Sequence, residues 1–380
     1  MLKYWIWLTT HLSPQKVSSI MRRFASPEEV FFASESELLS LELLTPDEIN
    51  TLSSKSFDMT ERILEKCEIA DIGIVTYQDA LYPPRLRDID SPPGVLYIKG
   101  SLSPLSIEPG LAIVGTRDAT PYGIEAAAMF SYNLAKSGMV IVSGMAKGID
   151  AFAHKGALRA GKPTVAVLGC GADVVYPLEN ETLYNDIISL GAVITEFPPG
   201  TRPLGAHFPQ RNRIISGLSA GVLVAEAPLR SGALITARTA QEQGRDVFAI
   251  PGNIEAPNSA GCNRLIREYA ILASQPMDIL SEYINQYPVQ LGAKQEKPKL
   301  PAVEEPKKKL PPPNPAKPKA EDRDLNETQA KIVKALRKEP LSPDDIIAAT
   351  GLGMRETLTE LTMLEIEGVV TSNTAGVYSL

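Results

Sequence analysis

The chain has 380 residues, 44% of them hydrophobic and 22% charged, with a net charge of −7. That apolar content excludes disorder for most of the length and allows two or three domains with separate cores. No apolar run approaches the ~20 residues that cross a bilayer, and the N-terminal Tyr4-Trp5-Ile6-Trp7-Leu8 is too short for a secretory core, so a soluble cytoplasmic protein is expected.

Residues 1–68 show short helical patterns in which a polar cap precedes a helix-starting proline, as in Ser13-Pro14, Ser26-Pro27 and Thr45-Pro46. They predict a small helical domain. The period then changes. Ile72–Thr76 and Val95–Ile98 read as strands around Tyr82-Pro83-Pro84. After them Leu111–Val114, Met139–Val142, Thr164–Leu168, Ala192–Thr195, Gly221–Ala225 and Asp246–Ile250 alternate with helical segments near 122–137, 148–160, 180–190, 210–219 and 232–243. Near-continuous Val/Ile/Leu strands separated by helices predict an α/β domain over 69–288, a Rossmann-like parallel sheet with helices on both faces. Ligands of such sheets bind beyond the strand C-termini.

Residues 289–322 form the expected linker, since Lys294–Lys319 holds 8 Lys and 8 Pro. Residues 323–380 then give three helical patterns, Asn326–Lys338, Ser342–Thr350 and Gly353–Glu367. Two short strands follow, Val369–Ser372 and Gly376–Ser379, which is the layout of a winged helix. Its would-be recognition helix sets Arg355 against Glu356, Glu360, Glu365 and Glu367, a face better suited to protein than to phosphate.

Metal chemistry is not expected, because the histidines are only His11, His154 and His207 and no CxxC occurs. Cys67, Cys170 and Cys262 are far apart and suit a reducing compartment. Charge is unevenly spread. Residues 1–109 carry 10 Lys+Arg against 16 Asp+Glu, whereas residues 110–270 carry 14 against 13 and include 10 Arg. Arg forks match phosphate.

Those cations gather where the strands end. The first strand end, Gly115-Thr116-Arg117, lacks GxGxxG and so the dinucleotide fingerprint, but offers backbone, hydroxyl and guanidinium donors. The second, Ser143-Gly144-Met145-Ala146-Lys147-Gly148, is a glycine-rich helix start that suits an anion, with Asp150 read as a helix cap and His154 as packed. The third, Gly169-Cys170-Gly171, leads to Tyr176-Pro177, and Cys170 has no activator. The most basic is Arg211-Asn212-Arg213, read as opening a helix; cations there oppose the macrodipole unless an anion binds or an Arg pairs with Glu196 or Glu226. Ser231-Gly232 and Pro251-Gly252-Asn253 are two further helix-start turns. Together these exits predict a basic groove rich in backbone donors.

The ordered strings GTRDATPYG, SGMAKGIDAFAH, GCGADVVYP, FPQRNRIISGLS, SGALITARTAQEQGRDVFAIPG and GCNRLI resemble the DNA-processing protein A family, DprA or Smf. The flanks resemble the family's SAM-like or helix-hairpin-helix-like domain and its winged helix. The resemblance implies a non-enzymatic recombination mediator without cofactor. Such a protein binds single-stranded DNA, protects it in natural transformation and loads the recombinase RecA onto it past single-strand-binding protein, acting as a homodimer through the Rossmann-like domain. Carried onto this chain, Arg117, Lys147, Arg211 and Arg213 become phosphate contacts. The wider expected DNA-binding set adds Gly115, Thr116, Ser143, Gly144, Gly148, Asn212, Ser231 and Gly232. Tyr122, Tyr176 and Phe208 are candidates for base stacking. One departure stands out: where members often carry a Lys after Tyr-Pro, this chain has Leu178-Glu179.

Two other classes compete. A nucleotide-binding hydrolase of the phosphoribohydrolase-like class would share the fold, but the PGGxGT stretch is replaced by Pro228-Leu229-Arg230-Ser231-Gly232-Ala233. A pure interaction protein would leave the strand-end cations incidental.

Overall fold

The short aliphatic runs pair edge to edge into one nine-stranded sheet. Its strands are β1 (Gly73–Thr76), β2 (Val95–Gly100), β3 (Gly110–Val114), β4 (Val140–Ser143), β5 (Thr164–Val167), β6 (Ala192–Thr195), β7 (Gly221–Val224), β8 (Asp246–Ala249) and β9 (Ile271–Leu272), in the order β1-β2-β6-β5-β4-β3-β7-β8-β9. The computed structural model describes residues 1–292, 326–337, 340–366, 369–372 and 377–380. From β6 across to β9 every neighbouring pair is parallel. The intervening helices include Pro121–Lys136, Ile149–Arg159, Glu181–Leu190, His207–Gly217, Gly232–Glu242 and Ala260–Glu268. The expectation of a parallel sheet needs one correction. β1 pairs antiparallel with β2, and β2 antiparallel with β6, so a parallel centre carries an antiparallel edge on this side.

Alternating side chains on each strand feed two cores. Ala112 and Val114 of β3 face helices His207–Gly217 and Gly232–Glu242, whereas Leu111 and Ile113 face Pro121–Lys136 and Ile149–Arg159. Burial on both faces is why the strands read as unbroken apolar runs. The strand order reverses at β3: the chain runs outward through β4, β5 and β6, then returns to place β7 on β3's other side. The crevice between the β3 and β7 exits is therefore the topological switch point.

The N-terminal helices form as their caps predict. Ser26 Oγ accepts the Glu29 N–H at 3.2 Å, and Thr45 and Glu48 close a capping box. The aromatic run near the N-terminus lies in helix Leu2–His11, with Tyr4, Trp5, Ile6, Trp7 and Leu8 all buried. This helix is the hub of the bundle, and its core continues into Val95 and Tyr97 of β2 and into Ala172. The described residues 1–292 form one compact unit.

The second unit is built from helices Glu327–Leu336, Pro343–Thr350 and Met354–Ile366 and the antiparallel pair β10 (Thr371–Ser372) and β11 (Tyr378–Ser379). Ile332, Val333, Leu336, Ile346, Leu361, Leu364 and Val370 are its core. Leu341 bridges to Tyr378, adding a contact to the wing that the pattern does not reveal. Lys294–Lys319 lies outside the described residues, while residues 289–292 complete a short helix, Pro288–Gly292, in which Leu291 is buried.

Candidate nucleic-acid interface

The exits of β3 and β4 are locked together by backbone. Gly148 has φ +72°, and a Cβ there would collide with the carbonyls of Thr116 and Arg117. Only glycine combines that dihedral with that approach. The Ile149 N–H donates to Thr116 O at 3.2 Å, while Gly115 packs beneath Ile149. Thr116 is buried, with its own N–H on Glu226 O at 2.8 Å, so Arg117 is the member of this turn that reaches solvent.

Two helix N-termini on this edge already hold internal carboxylates. At Pro121–Lys136, Glu226 is 2% exposed and accepts from the Thr120 N–H at 2.8 Å and Thr120 Oγ1 at 2.6 Å. It fills the switch-point crevice where a nucleotide-binding relative of this fold would place a phosphate. At Ile149–Arg159, Asp150 does not cap the helix as expected. Gly148 is the N-cap, and the buried Asp150 carboxylate turns back to accept from the main chain of Ala146 and Gly144. Burial raises its pKa, and Arg211 together with those N–H groups pulls it back. Ser143 is fully buried, its Oγ donating to Ile113 O at 2.6 Å.

Arg211 is the second correction. Its helix begins at His207, running through Pro209 in its first turn, where proline is tolerated. Arg211 therefore sits in the second turn, and the macrodipole argument does not apply to it. It is 4% exposed and donates Nη1 to Gly144 O at 2.7 Å and to Val167 O, tying the β4 exit to the end of β5. A Cβ on Gly144 would fall on the guanidinium, which is the reason for that glycine. Asn212 is half-buried and receives Arg211 Nε at 3.2 Å. Arg213 pairs with Glu196, as the alternative reading allowed, with both side chains largely buried. Burial raises the Glu196 pKa and Arg213 counters it.

What remains in solvent is a smaller, more coherent group. The Arg117 guanidinium lies 5.3 Å from the Phe208 ring centre, and Phe208 lies 5.6 Å from Tyr176, itself 38% exposed. Phe197 stacks on His207 at 4.2 Å beside them. Lys147 is exposed and pairs with Glu179 at 2.6 Å. Asn180, buried, donates Nδ2 to Met145 O at 2.9 Å and steadies the 145–148 turn, where Met145 holds φ +56°. Tyr122 is tied elsewhere, its Oη on Pro251 O at 2.6 Å. Ser231 caps its helix through the Ala233 N–H at 3.3 Å, and Gly232 is exposed with open space at its Cα. His154 and Cys170 are buried, the latter's thiol pushed up to about 11 by burial.

The model of a family described as DNA recombination-mediator protein A matches residues 73–284, and that of the DprA winged helix domain matches residues 313–376. The chain belongs to this family. A Smf protein of Synechocystis is 40% identical over 335 residues, covering 81% of this chain and 80% of its own. The DprA of Streptococcus pneumoniae is 47% identical over 205 residues, 54% of this chain and 72% of its own. Its X-ray structure superposes with a TM-score of 0.65 at 37% identity, covering 74% of this chain and 97% of that one. A structure of DprA from Helicobacter pylori, described for its unique single-stranded DNA binding mode, superposes with a TM-score of 0.52 at 29% identity, covering 57% and 99%.

In this DprA-family chain the sequence motifs lie together on the strand-end edge of the sheet, but reading them does not separate solvent-facing side chains from those that build the edge. Asn180 and the internal roles of Asp150 and Glu226 are missed by motif reading. A buried Asp two residues after an N-cap glycine carries no local signal of where its oxygens point.

Proposed function

We propose that the chain binds single-stranded DNA along the strand-end edge and acts without catalysis as a recombination mediator in natural transformation. The observation that carries this reading is the half-exposed Tyr176–Phe208 pair with Arg117 on its face and Lys147 alongside. Aromatic faces take unpaired bases of any sequence, and neighbouring cations take the phosphates, a combination that favours single strands. Family membership supports it, as does the single-stranded DNA binding mode described for the H. pylori DprA. Of the expected contacts, Arg117 and Lys147 become direct ligands, with Ser231 and Gly232 along the same edge. Gly115, Thr116, Ser143, Gly144, Gly148, Arg211, Asn212 and Arg213 shape and hold the turns. The phosphoribohydrolase-like alternative is disfavoured because Glu226 occupies the switch-point crevice. Loading of RecA past single-strand-binding protein in the cytoplasm, by a homodimer of the Rossmann-like domain, completes the proposal; edge strand β9, with Ile271 and Leu272 exposed, offers a pairing surface.

The test is fluorescence anisotropy of labelled oligothymidine and of a matching duplex at two salt concentrations. Tight, salt-sensitive binding with single-strand preference is expected. No binding at low salt would refute the reading.

A further inference from the structure

The Lys147–Glu179 pair bears on how tightly the edge can hold a strand, and this rests on the single-stranded DNA reading above. Lys147 Nζ lies 2.6 Å from Glu179 Oε1, with the side chains 57% and 64% exposed. An ion pair this exposed normally contributes little, because two long side chains must be held in one geometry. Here the backbones hold it. Asn180, next to Glu179, donates Nδ2 to Met145 O at 2.9 Å and reaches Ala146 O at 3.4 Å, next to Lys147. The segment that supplies Tyr176 to the aromatic pair therefore also delivers a carboxylate to Lys147.

We infer that Glu179 is an internal counter-ion for Lys147. It occupies the ammonium in the free protein and must be displaced by a phosphate when a strand binds. Glu179 thus lowers affinity by the strength of the exposed ion pair that the phosphate has to break, and returns to Lys147 when the strand leaves. A strand held this way is easier to surrender than one held by an unopposed lysine.

Four proteins test this: the full chain unaltered, Glu179→Gln, Lys147→Gln and the double variant, each titrated with labelled oligothymidine across a salt series. Both side chains are exposed, and matching thermal transitions check that all four fold alike. Glu179→Gln is expected to bind about two- to fivefold more tightly at low salt. Its log–log salt slope is expected to match that of the unaltered chain, because Lys147 meets a phosphate in both, whereas Lys147→Gln should lower the slope by about 0.7. In the Lys147→Gln background the same change should do little. Equal tightening in both backgrounds would mean that Glu179 acts only through net charge, and no tightening in either would mean that it does not compete; each overturns the inference. If the unaltered chain itself fails to bind at low salt, the single-stranded DNA reading falls, an outcome distinct from the other two.

Discussion

Arg117 and Arg211 look alike as strand-end arginines, and their environments predict opposite phenotypes. Arg211 is 4% exposed, donates to Gly144 O and Val167 O, and faces the buried Asp150 carboxylate. Arg211→Met leaves two carbonyls short of a donor and a buried carboxylate without its cation. Orphaned buried groups cost ~1–3 kcal/mol each, and breaking a buried pair costs ~3–5 kcal/mol. Taking about 4 kcal/mol and ~2–4 °C per kcal/mol for a domain of this class, the thermal midpoint should fall by about 8–16 °C. Pairing the change with Asp150→Asn should recover part of that loss, since the two groups are coupled. Arg117→Ala should leave the midpoint within about 1–2 °C, as an exposed substitution worth under ~0.5 kcal/mol. Its effect should appear in oligothymidine affinity, down about tenfold or more for a charge-assisted contact of ~1.5 kcal/mol, with the salt slope reduced by about 0.7. Calorimetry and anisotropy on the same preparations separate the two. If Arg211→Met melts like the unaltered chain yet loses DNA, Arg211 is a ligand and the anchoring argument is wrong.

Other expectations follow from the same geometry. Phe208→Ala should weaken single-strand binding by ~1–3 kcal/mol, the range for a lost base stack, and Phe208→Tyr should largely retain it; equal affinities for all three would remove the stacking role. Gly148→Ala should destabilise by ~1–3 kcal/mol through its positive φ and also weaken DNA binding, because a Cβ pushes Lys147's turn away from Arg117's; a melting curve and a titration report the two effects. His154 gives a pH dependence. Thr164 Oγ1 gives its proton to Ile141 O, so His154 Nδ1 is the donor to Thr164 and Nε2 is a bare buried acceptor. Burial lowers this imidazole from 6.5 to about 3. The unfolded chain therefore takes up a proton that the folded one refuses, and stability falls as pH drops below 6.5 towards 3, by ~1.4 kcal/mol per pH unit. A His154→Gln variant should show a shallower decline between pH 6 and 4 in urea titrations, and an identical slope would count against the assignment.

The α/β architecture was legible in the residues alone. Strands buried on both faces must be apolar throughout, and the caps and prolines of the first helices act within one turn. The sequence also pointed to the edge proposed above to bind DNA, since glycines at successive strand ends read as close backbone approach whatever lies beyond them. The tertiary structure decided matters that depend on residues distant in the chain. β9 is two residues long and exists through its pairing with β8, and the antiparallel edge follows from β2 docking on β6. The direction of each strand-end side chain was decided there too. Arg211 faces inward because Gly144 leaves room and Asp150 supplies charge, while Arg117 faces solvent because Phe208, 91 positions later, offers its ring. A motif records which donors are present; whether a donor meets a ligand or a carbonyl is set by what the fold packs against it.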